Sequence, residues 1–444
     1  MKAFKYILFL VLTLMLVILA VSCGESDKTD EPAVKNNDKT VTLNVYNWGE
    51  YISDGFEGCP DVNALFEDYY YEKFGVKVEV NYTTYATNED MYSKLSSGAG
   101  TYDIVIPSDY MIQRMADEGL LYDFGAENIE NYVHINDQFK GLYYDKENRY
   151  SVPYTYGMVG IIYNYTMLDP EDLDEDFNIK DETWGLMWNE KYAGKILQFN
   201  NPRDAFGTAM YYHNLDINSS DKSVWEEALG YLKDQKPLVQ GYVNDEIYNK
   251  MGTGSAAIAA YFAGDYITML EDNEYLKFYY PKEGTNVFVD AMCIPAYSTQ
   301  KEIAMEYINF MLSEEIAVAN ALYIGYASPN ELVVNNEDYI AEMGEDAIAI
   351  LYGSSSDGEV NANYSFDPFY YSFTDASIYE PGFQEYVNGL WETLKTESAI
   401  EPWIHVTSIT IVTALLVIAS YSLYIKKKRS RFYRYRDREA QKEK

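Results

Sequence analysis

Six short stretches of this 444-residue chain place an aromatic ring beside a carboxylate or another polar group: Trp48, Glu50 and Tyr51 in YNWGEY; Ser108, Asp109 and Tyr110 in PSDY; Arg203 and Asp204 in FNNPRDAF; Phe262 and Asp265 in YFAGDY; Phe288 and Asp290 in VFVDA; and Tyr326 in IGYASPN. Flat rings can sandwich an aliphatic chain and attract ammonium groups to their π-faces, at about 0.5 to 2 kcal/mol each. Carboxylates supply the charge-assisted hydrogen bonds that a desolvated ammonium requires. Such a set suits a methylene chain with cationic ends. With 46 tyrosines in the chain, a single Tyr is ordinarily filler, and a lone Asp after a strand, such as Asp109, is ordinarily a helix cap. The joint recurrence carries the reading.

Other chemistries are disfavoured by composition. The net charge of −36 repels nucleic acid, whose binding is dominated by phosphate neutralisation. Between Cys23 and Trp403 arginine occurs only at Arg114, Arg149 and Arg203, which leaves few forks for an anionic ligand. His134, His213 and His405 lie far apart and none pairs with a cysteine at zinc-ligand spacing, so no metal site is expected. No cofactor is called for. Cys59 and Cys293 allow one disulfide, although Cys293, in the apolar run AMCI, reads as a buried small residue.

The elements that would position the set follow an α/β rhythm. TLNVYN, VKVEVNY and YDIVIPS read as strands, DVNALFEDYYYEKFG and NEDMYSKLSSG as helices, and a parallel sheet with covering helices is expected. NWGEY and PSDY fall just past strand ends, where open α/β sheets bind ligands. SVPYTYGMVGIIYN (151–164) reads as a crossing into a second unit, and VFVDAMCIPA (287–296) with KEIAMEYINFML as the return, giving two crossings.

Both ends read as membrane-directed. Residues 1–22, with Lys2, Lys5 and an apolar run before Cys23, are built like an export signal. They resemble a lipoprotein signal, which implies lipidation of Cys23. Residues 23–40 read as a polar tether. Residues 403–425 lack formal charge and are long enough to span a bilayer as a transmembrane helix, and the tail 426–444 holds ten Lys and Arg against three acids. The positive-inside rule puts that tail in the cytoplasm and the rest outside. Without signal and tail the exported part has 22 basic and 67 acidic residues, a net of about −45.

YNWGEY, NEDMYSKL, YDIVIPSDY, SVPYTYG, YPKEG with FVDAMCIPA, and IGYASPN, in that order from about Thr40 to Lys395, resemble the periplasmic spermidine/putrescine-binding proteins that feed polyamine ABC importers. The resemblance implies a two-lobed type II periplasmic-binding-protein fold with hinge crossings: residues 41–158 and 289–325 in one lobe, 159–288 and 326–397 in the other. It implies no enzyme but a protein that binds putrescine or spermidine, delivers it to ABC permease subunits and works on the extracytoplasmic face of a bacterial cell membrane. Trp48 and Tyr51 are then pocket walls, with Ser108 and Tyr110 in the next loop and Asp204 and Asp290 meeting amines. Phe262 and Phe288 stand where family members have tryptophan, and Asn201 where spermidine binders have an acid, for which Asp265 would compensate. Two other readings keep the fold: a membrane-tethered polyamine sensor, prompted by the C-terminal segment, and a ferric-ion binding protein, prompted by the pairs Tyr143–Tyr144, Tyr211–Tyr212, Tyr279–Tyr280 and Tyr370–Tyr371. A secreted glycosidase with an acid pair and aromatic sugar platforms is the enzyme reading.

Overall fold

The computed structural model describes residues 40–353, 369–396 and, in the C-terminal stretch, 410, 413–416, 418–422 and 425–427. The signal, Cys23, nearly all of the tether, most of 403–425 and nearly all of the tail lie outside the described residues. Among the described residues no helix is long and apolar enough to cross a membrane.

The strands are β1 (Val41–Trp48), β2 (Val78–Tyr85), β3 (Ile104–Val105), β4 (Ser151–Asn164), β5 (Ile196–Phe199), β6 (Val239–Val243), β7 (Ile258–Phe262), β8 (Leu276–Tyr279) and β9 (Val287–Cys293). They form one sheet in the order β2-β1-β3-β9-β4-β7-β5-β6, with β8 also on β4. The parallel sheet expected from the first three strands holds for β1, β2 and β3, while the sheet as a whole is mixed. β1 pairs β2 and β3, and β5 pairs β6 and β7, in parallel. β9 runs antiparallel to β3 and β4, and β4 antiparallel to β7 and β8. The parallel parts are the units with helical crossovers, while the antiparallel pairings come where the chain passes from one set of strands to the other.

β4 is the physical centre of this arrangement. All of its 14 residues are buried. Residues 151–158 pair with β9, and residues 159–164 with β7 and β8. A strand packed on both faces needs a near-continuous apolar run rather than alternation, which SVPYTYGMVGIIYN provides. Two large hydrophobic clusters flank it. The first joins residues from Leu43 to Tyr156 with residues from Val289 to Ala327 and Leu351. The second joins residues from Val159 to Tyr279 with Tyr370 to Leu394. Helices from Glu331 to Leu351 pack near Glu314–Ile324, where Val333 and Tyr339 meet Ala317 and Ala321 in a small third cluster.

Local chemistry explains the helices. In Val62–Phe74, Asp61 accepts the Ala64 N–H at the start and Gly75, at φ 67°, ends it. Left-handed backbone costs glycine little, so the stop is set by sequence. Val62, Phe66 and Tyr70, four apart, share the buried face. Phe66→Ala would cost about 3 to 5 kcal/mol.

Candidate functional site

The ring-and-carboxylate stretches gather where the two large clusters meet. Tyr51, just past β1, is 8% exposed. Its hydroxyl donates to Asp290 Oδ2 at 2.8 Å and lies 2.8 Å from Thr155 Oγ1 on β4. Its ring is edge-on to Tyr326, with centroids 5.5 Å apart. Tyr326 in turn lies edge-on to Phe288 at 6.0 Å, and Phe288 edge-on to Phe262 at 5.2 Å. Four predicted aromatics thus line one continuous wall. Two glycines make room for it. A Cβ on Gly157 would come 2.6 Å from Phe288, and one on Gly264 2.3 Å from Tyr326.

Asp290 is the centre of the site. It is 4% exposed and lies on β9, beside the isolated bridge to Ser108. Oδ2 is taken by Tyr51, whereas Oδ1 is buried with no hydrogen-bond partner among the described residues. Burial pushes its carboxyl up to about 6, with the Ser108 and Tyr51 hydroxyls holding the rise back. A buried acceptor without a donor is costly unless something supplies the donor.

Asp265, in the first turn of helix Ala263–Asp272, is differently placed. Both of its oxygens accept tyrosine hydroxyls, from Tyr248 and from Tyr326. Burial pushes it up to about 6 against those two hydrogen bonds. Asp204, in the first turn of Pro202–Tyr212, accepts from Asn201 Nδ2 at 2.8 Å, while Asn201 Oδ1 caps its backbone N–H. It too is pushed up to about 6 by burial, with Asn201 and the neighbouring Arg203 charge pulling it down. The Arg203 guanidinium is buried against rings, 3.4 Å from the Phe373 centroid and 5.9 Å from that of Tyr110.

Ser108 and Tyr110 are set by Asn88, at the start of helix Asn88–Ser96. Its Nδ2 donates to Ser108 Oγ at 3.0 Å and to Tyr110 Oη at 3.1 Å, and Tyr110 donates to Glu89 at 3.2 Å. Asp109 was expected to be a plain helix cap. Its Oδ1 does accept the next N–H, that of Tyr110 at 2.6 Å, but Ser108 holds the cap position and Oδ2 reaches across to Val289 N at 3.2 Å. Burial pushes Asp109 up to about 8.

Two predicted residues stand aside from this wall. Trp48 packs on Tyr85 at 4.6 Å with its buried Nε1 unpartnered among the described residues. Glu50 is exposed, accepts Tyr323 Oη at 3.2 Å and has a left-handed φ of 51°, a strained backbone of about 1 to 2 kcal/mol for a glutamate. The sequence places Tyr326 at a strand end. Tyr326 follows helix Glu314–Ile324 instead. Thr155, Asn88 and Tyr248 were missed. They lie inside a strand or helix, and nothing in their local pattern marks them.

Three of the eight paired tyrosines are engaged elsewhere. The hydroxyls of Tyr143, Tyr279 and Tyr280 each donate to a backbone carbonyl. Among the described residues no group of three or more His, Cys, Asp or Glu could hold a metal ion. Cys59 and Cys293 are both free thiols, with Cys293 buried.

Comparison with known proteins fits this geometry. Residues 64–344 match the family model described as bacterial extracellular solute-binding protein. The spermidine/putrescine-binding periplasmic protein of Escherichia coli (strain K12) is 30% identical over 294 residues, which cover 66% of this chain and 79% of that protein. The putrescine/cadaverine-binding protein of Pseudomonas aeruginosa is 25% identical over 298 residues, covering 65% and 79%. Among solved structures, a putative spermidine/putrescine ABC transporter protein from Listeria monocytogenes superposes with a TM-score of 0.65 at 30% identity, over 80% of this chain and 99% of that one. A spermidine/putrescine ABC transporter substrate-binding protein from Streptococcus pneumoniae gives 0.61 at 29% identity, over 80% and 98%. The fold is therefore the α/β periplasmic-binding-protein fold, and the chain belongs to the bacterial extracellular solute-binding proteins, a family of solute binders rather than enzymes, together with its spermidine/putrescine-binding periplasmic members.

Proposed function

We propose that this chain captures a polyamine, putrescine or spermidine, between two lobes outside the cytoplasm and delivers it to the permease subunits of an ABC importer. The observation that carries this reading is Asp290, a buried carboxylate whose Oδ1 has no hydrogen-bond partner among the described residues, beside a wall of four aromatic rings. An ammonium on a methylene chain supplies that donor and its charge, and the rings cover its carbons. In this reading Tyr51, Ser108, Tyr110, Phe262, Phe288 and Tyr326 form the walls, and Trp48, packed on Tyr85, backs them from outside the wall. Asp204, Asp265 and Asp290 meet the amines, with Glu50 at the rim.

The lobes are residues 41–158 with 289–325, and 159–288 with 326–397, hinged where β4 and β9 run side by side. Lipidated Cys23 and the segment 403–425 hold the protein on the outer face of the membrane, with the basic tail inside. Support for the two anchors is the apolar run before Cys23 and the uncharged stretch followed by Lys426, Lys427, Lys428 and Arg429. With an epitope at Lys444, protease treatment of wall-stripped cells should leave a protected fragment; its complete digestion would defeat this topology.

Calorimetric titration with putrescine, spermidine, spermine and ferric citrate tests the ligand. At least one amine should bind at micromolar affinity or better, about 8 kcal/mol. Heat from ferric citrate alone would overturn the assignment.

A further inference from the structure

The helix Asp109–Asp117 carries the Ser108–Tyr110 loop at its start, and one turn later it does something else. Gln113 reaches segment 369–379 with both ends of its amide. Nε2 donates to Asp375 Oδ2 at 2.8 Å, and Oε1 accepts the Ser372 N–H at 3.1 Å. Nearby, Tyr143 donates to Tyr370 O at 2.6 Å, and its ring lies 4.8 Å from that of Tyr371. Met111, Ile112 and Met115 of the helix lie in the first cluster, whereas Tyr370, Phe373 and Tyr379 lie in the second. These bonds therefore join the two clusters.

The segment is rigidly seated on its own side. Asn218 donates to Phe369 O at 2.7 Å, accepts from Tyr371 N at 2.9 Å, and takes the Tyr379 hydroxyl on its carbonyl at 3.0 Å. The Tyr370 hydroxyl occupies the place of a Cβ on Gly207, and Phe373 covers the Arg203 guanidinium. The segment thus backs the end of the cleft that holds Asp204.

The residue type at 113 is specific. Ser372 is 2% exposed, so its N–H has no water to turn to and needs an acceptor. Asp117, on the same helix as Gln113, is held above the ordinary carboxylate range by burial and by the Asp375 charge, so a further negative charge at 113 would add to that repulsion. A neutral amide can satisfy the buried N–H and donate to Asp375 at once. Leucine does neither, and glutamate adds a third negative charge.

We propose that Gln113 is a positioning residue of the binding cleft. Without touching the ligand, it clamps segment 369–379 to the ligand-loop helix when the two clusters are drawn together, and so sets how slowly a captured ligand leaves. The proposal rests on the polyamine reading. A closing contact made after encounter acts on dissociation rather than association.

The test uses the full chain in detergent, with stopped-flow fluorescence for putrescine and spermidine. In Gln113→Leu the dissociation rate should rise about tenfold, the size expected for two ordinary hydrogen bonds, and further in Gln113→Glu. Association should change less than about twofold and the preference between the two amines should be unchanged. High salt should recover part of the Gln113→Glu defect and none of the Gln113→Leu defect. If these variants misfold, Asp375→Asn, which keeps an acceptor, should stay near wild type, while Asp375→Leu should speed dissociation. Unchanged dissociation, slowed association, or an altered preference overturns the proposal. If the wild type binds neither amine, it is the polyamine reading that fails. Spin labels at exposed Asp68 and Asp234 then decide the clamp, since Gln113→Glu must broaden the distance between them and an unchanged distribution refutes it.

Discussion

Asp290→Asn should make the free protein more stable and ruin its affinity, two effects of opposite sign from one atom. In the free protein the carboxyl is pushed up to about 6 by burial, roughly two units above an ordinary aspartate. At neutral pH that is about 3 kcal/mol held against the ionised form. An amide of the same shape removes this cost and keeps an oxygen for the Tyr51 hydroxyl. Unfolding of the ligand-free variant should therefore occur a few degrees higher, at about 2 to 4 °C per kcal/mol for a large domain, with part of the gain lost to a weaker hydrogen bond. On binding, the ammonium enters a buried site and finds no charge. Removing one partner of such a pair costs about 3 to 5 kcal/mol, so Kd should rise by two decades or more. Asp109→Asn is the control. Asp109, pushed up to about 8, is mostly neutral at pH 7, so Asp109→Asn removes little charge from the cleft; its amide nitrogen cannot accept the Tyr110 or Val289 N–H, which should cost about 1 to 3 kcal/mol of stability, while affinity should move less than about threefold. Calorimetry for Kd and thermal melts of the free proteins measure both. Equal affinity losses in the two variants, or a fall in the free melting temperature of Asp290→Asn, would refute the reasoning.

Acidity should weaken binding. Asp204, Asp265 and Asp290 are each pushed up to about 6 by burial, and a bound ammonium favours their ionised forms. Affinity should be flat from about pH 8 to 7 and then fall toward pH 5 by up to about tenfold per unit for each carboxyl that must release a proton. Titration in two buffers of different ionisation enthalpy counts those protons, and affinity that rises on acidification contradicts the scheme. The free protein should do the reverse. Its folded state keeps protons that the unfolded chain has already lost, so these groups reduce stability as pH rises from about 4 through 6. Gly264→Ala should displace the Tyr326 ring, because the added carbon would lie 2.3 Å from it; overpacking of about 1 to 3 kcal/mol and weaker binding are expected, read by melting and calorimetry. Asn201→Asp keeps the cap on Asp204 but sets a second carboxylate against it. Preference should move toward spermidine by about 1 kcal/mol, partly offset by burial of the new acid, and an unchanged ratio of the two Kd values argues against it.

What the sequence disclosed and what it withheld follow from range. Val62, Phe66 and Tyr70 announce a helix face because their spacing is local, whereas SVPYTYGMVGIIYN, legible as a crossing between units, disclosed its full burial only once its neighbours were known. The meeting of Tyr51 with Asp290, 239 residues apart, was reached only because both stretches have the same kind of chemistry. Thr155, Asn88, Tyr248 and Gln113 have no such label. Their roles are created by the strand or helix that faces them, and a hydroxyl or amide in a regular element looks the same whether it faces solvent or a carboxylate. The parallel direction of the first three strands was legible, but that of β4 and β9 was not, since apolar runs fix burial and leave orientation open until their pairing is known.

The single strand from Ser151 to Asn164 also constrains how this chain can come apart. Its first half completes one side of the sheet and its second half completes the other, so neither half of the molecule retains an intact sheet if the strand detaches. Unfolding should therefore be one cooperative event, and the amides of this strand should be among the slowest to exchange with deuterated solvent. Proteolytic nicks, reporter insertions and circular permutation should be tolerated in the exposed connections and lethal to the whole molecule anywhere in this strand.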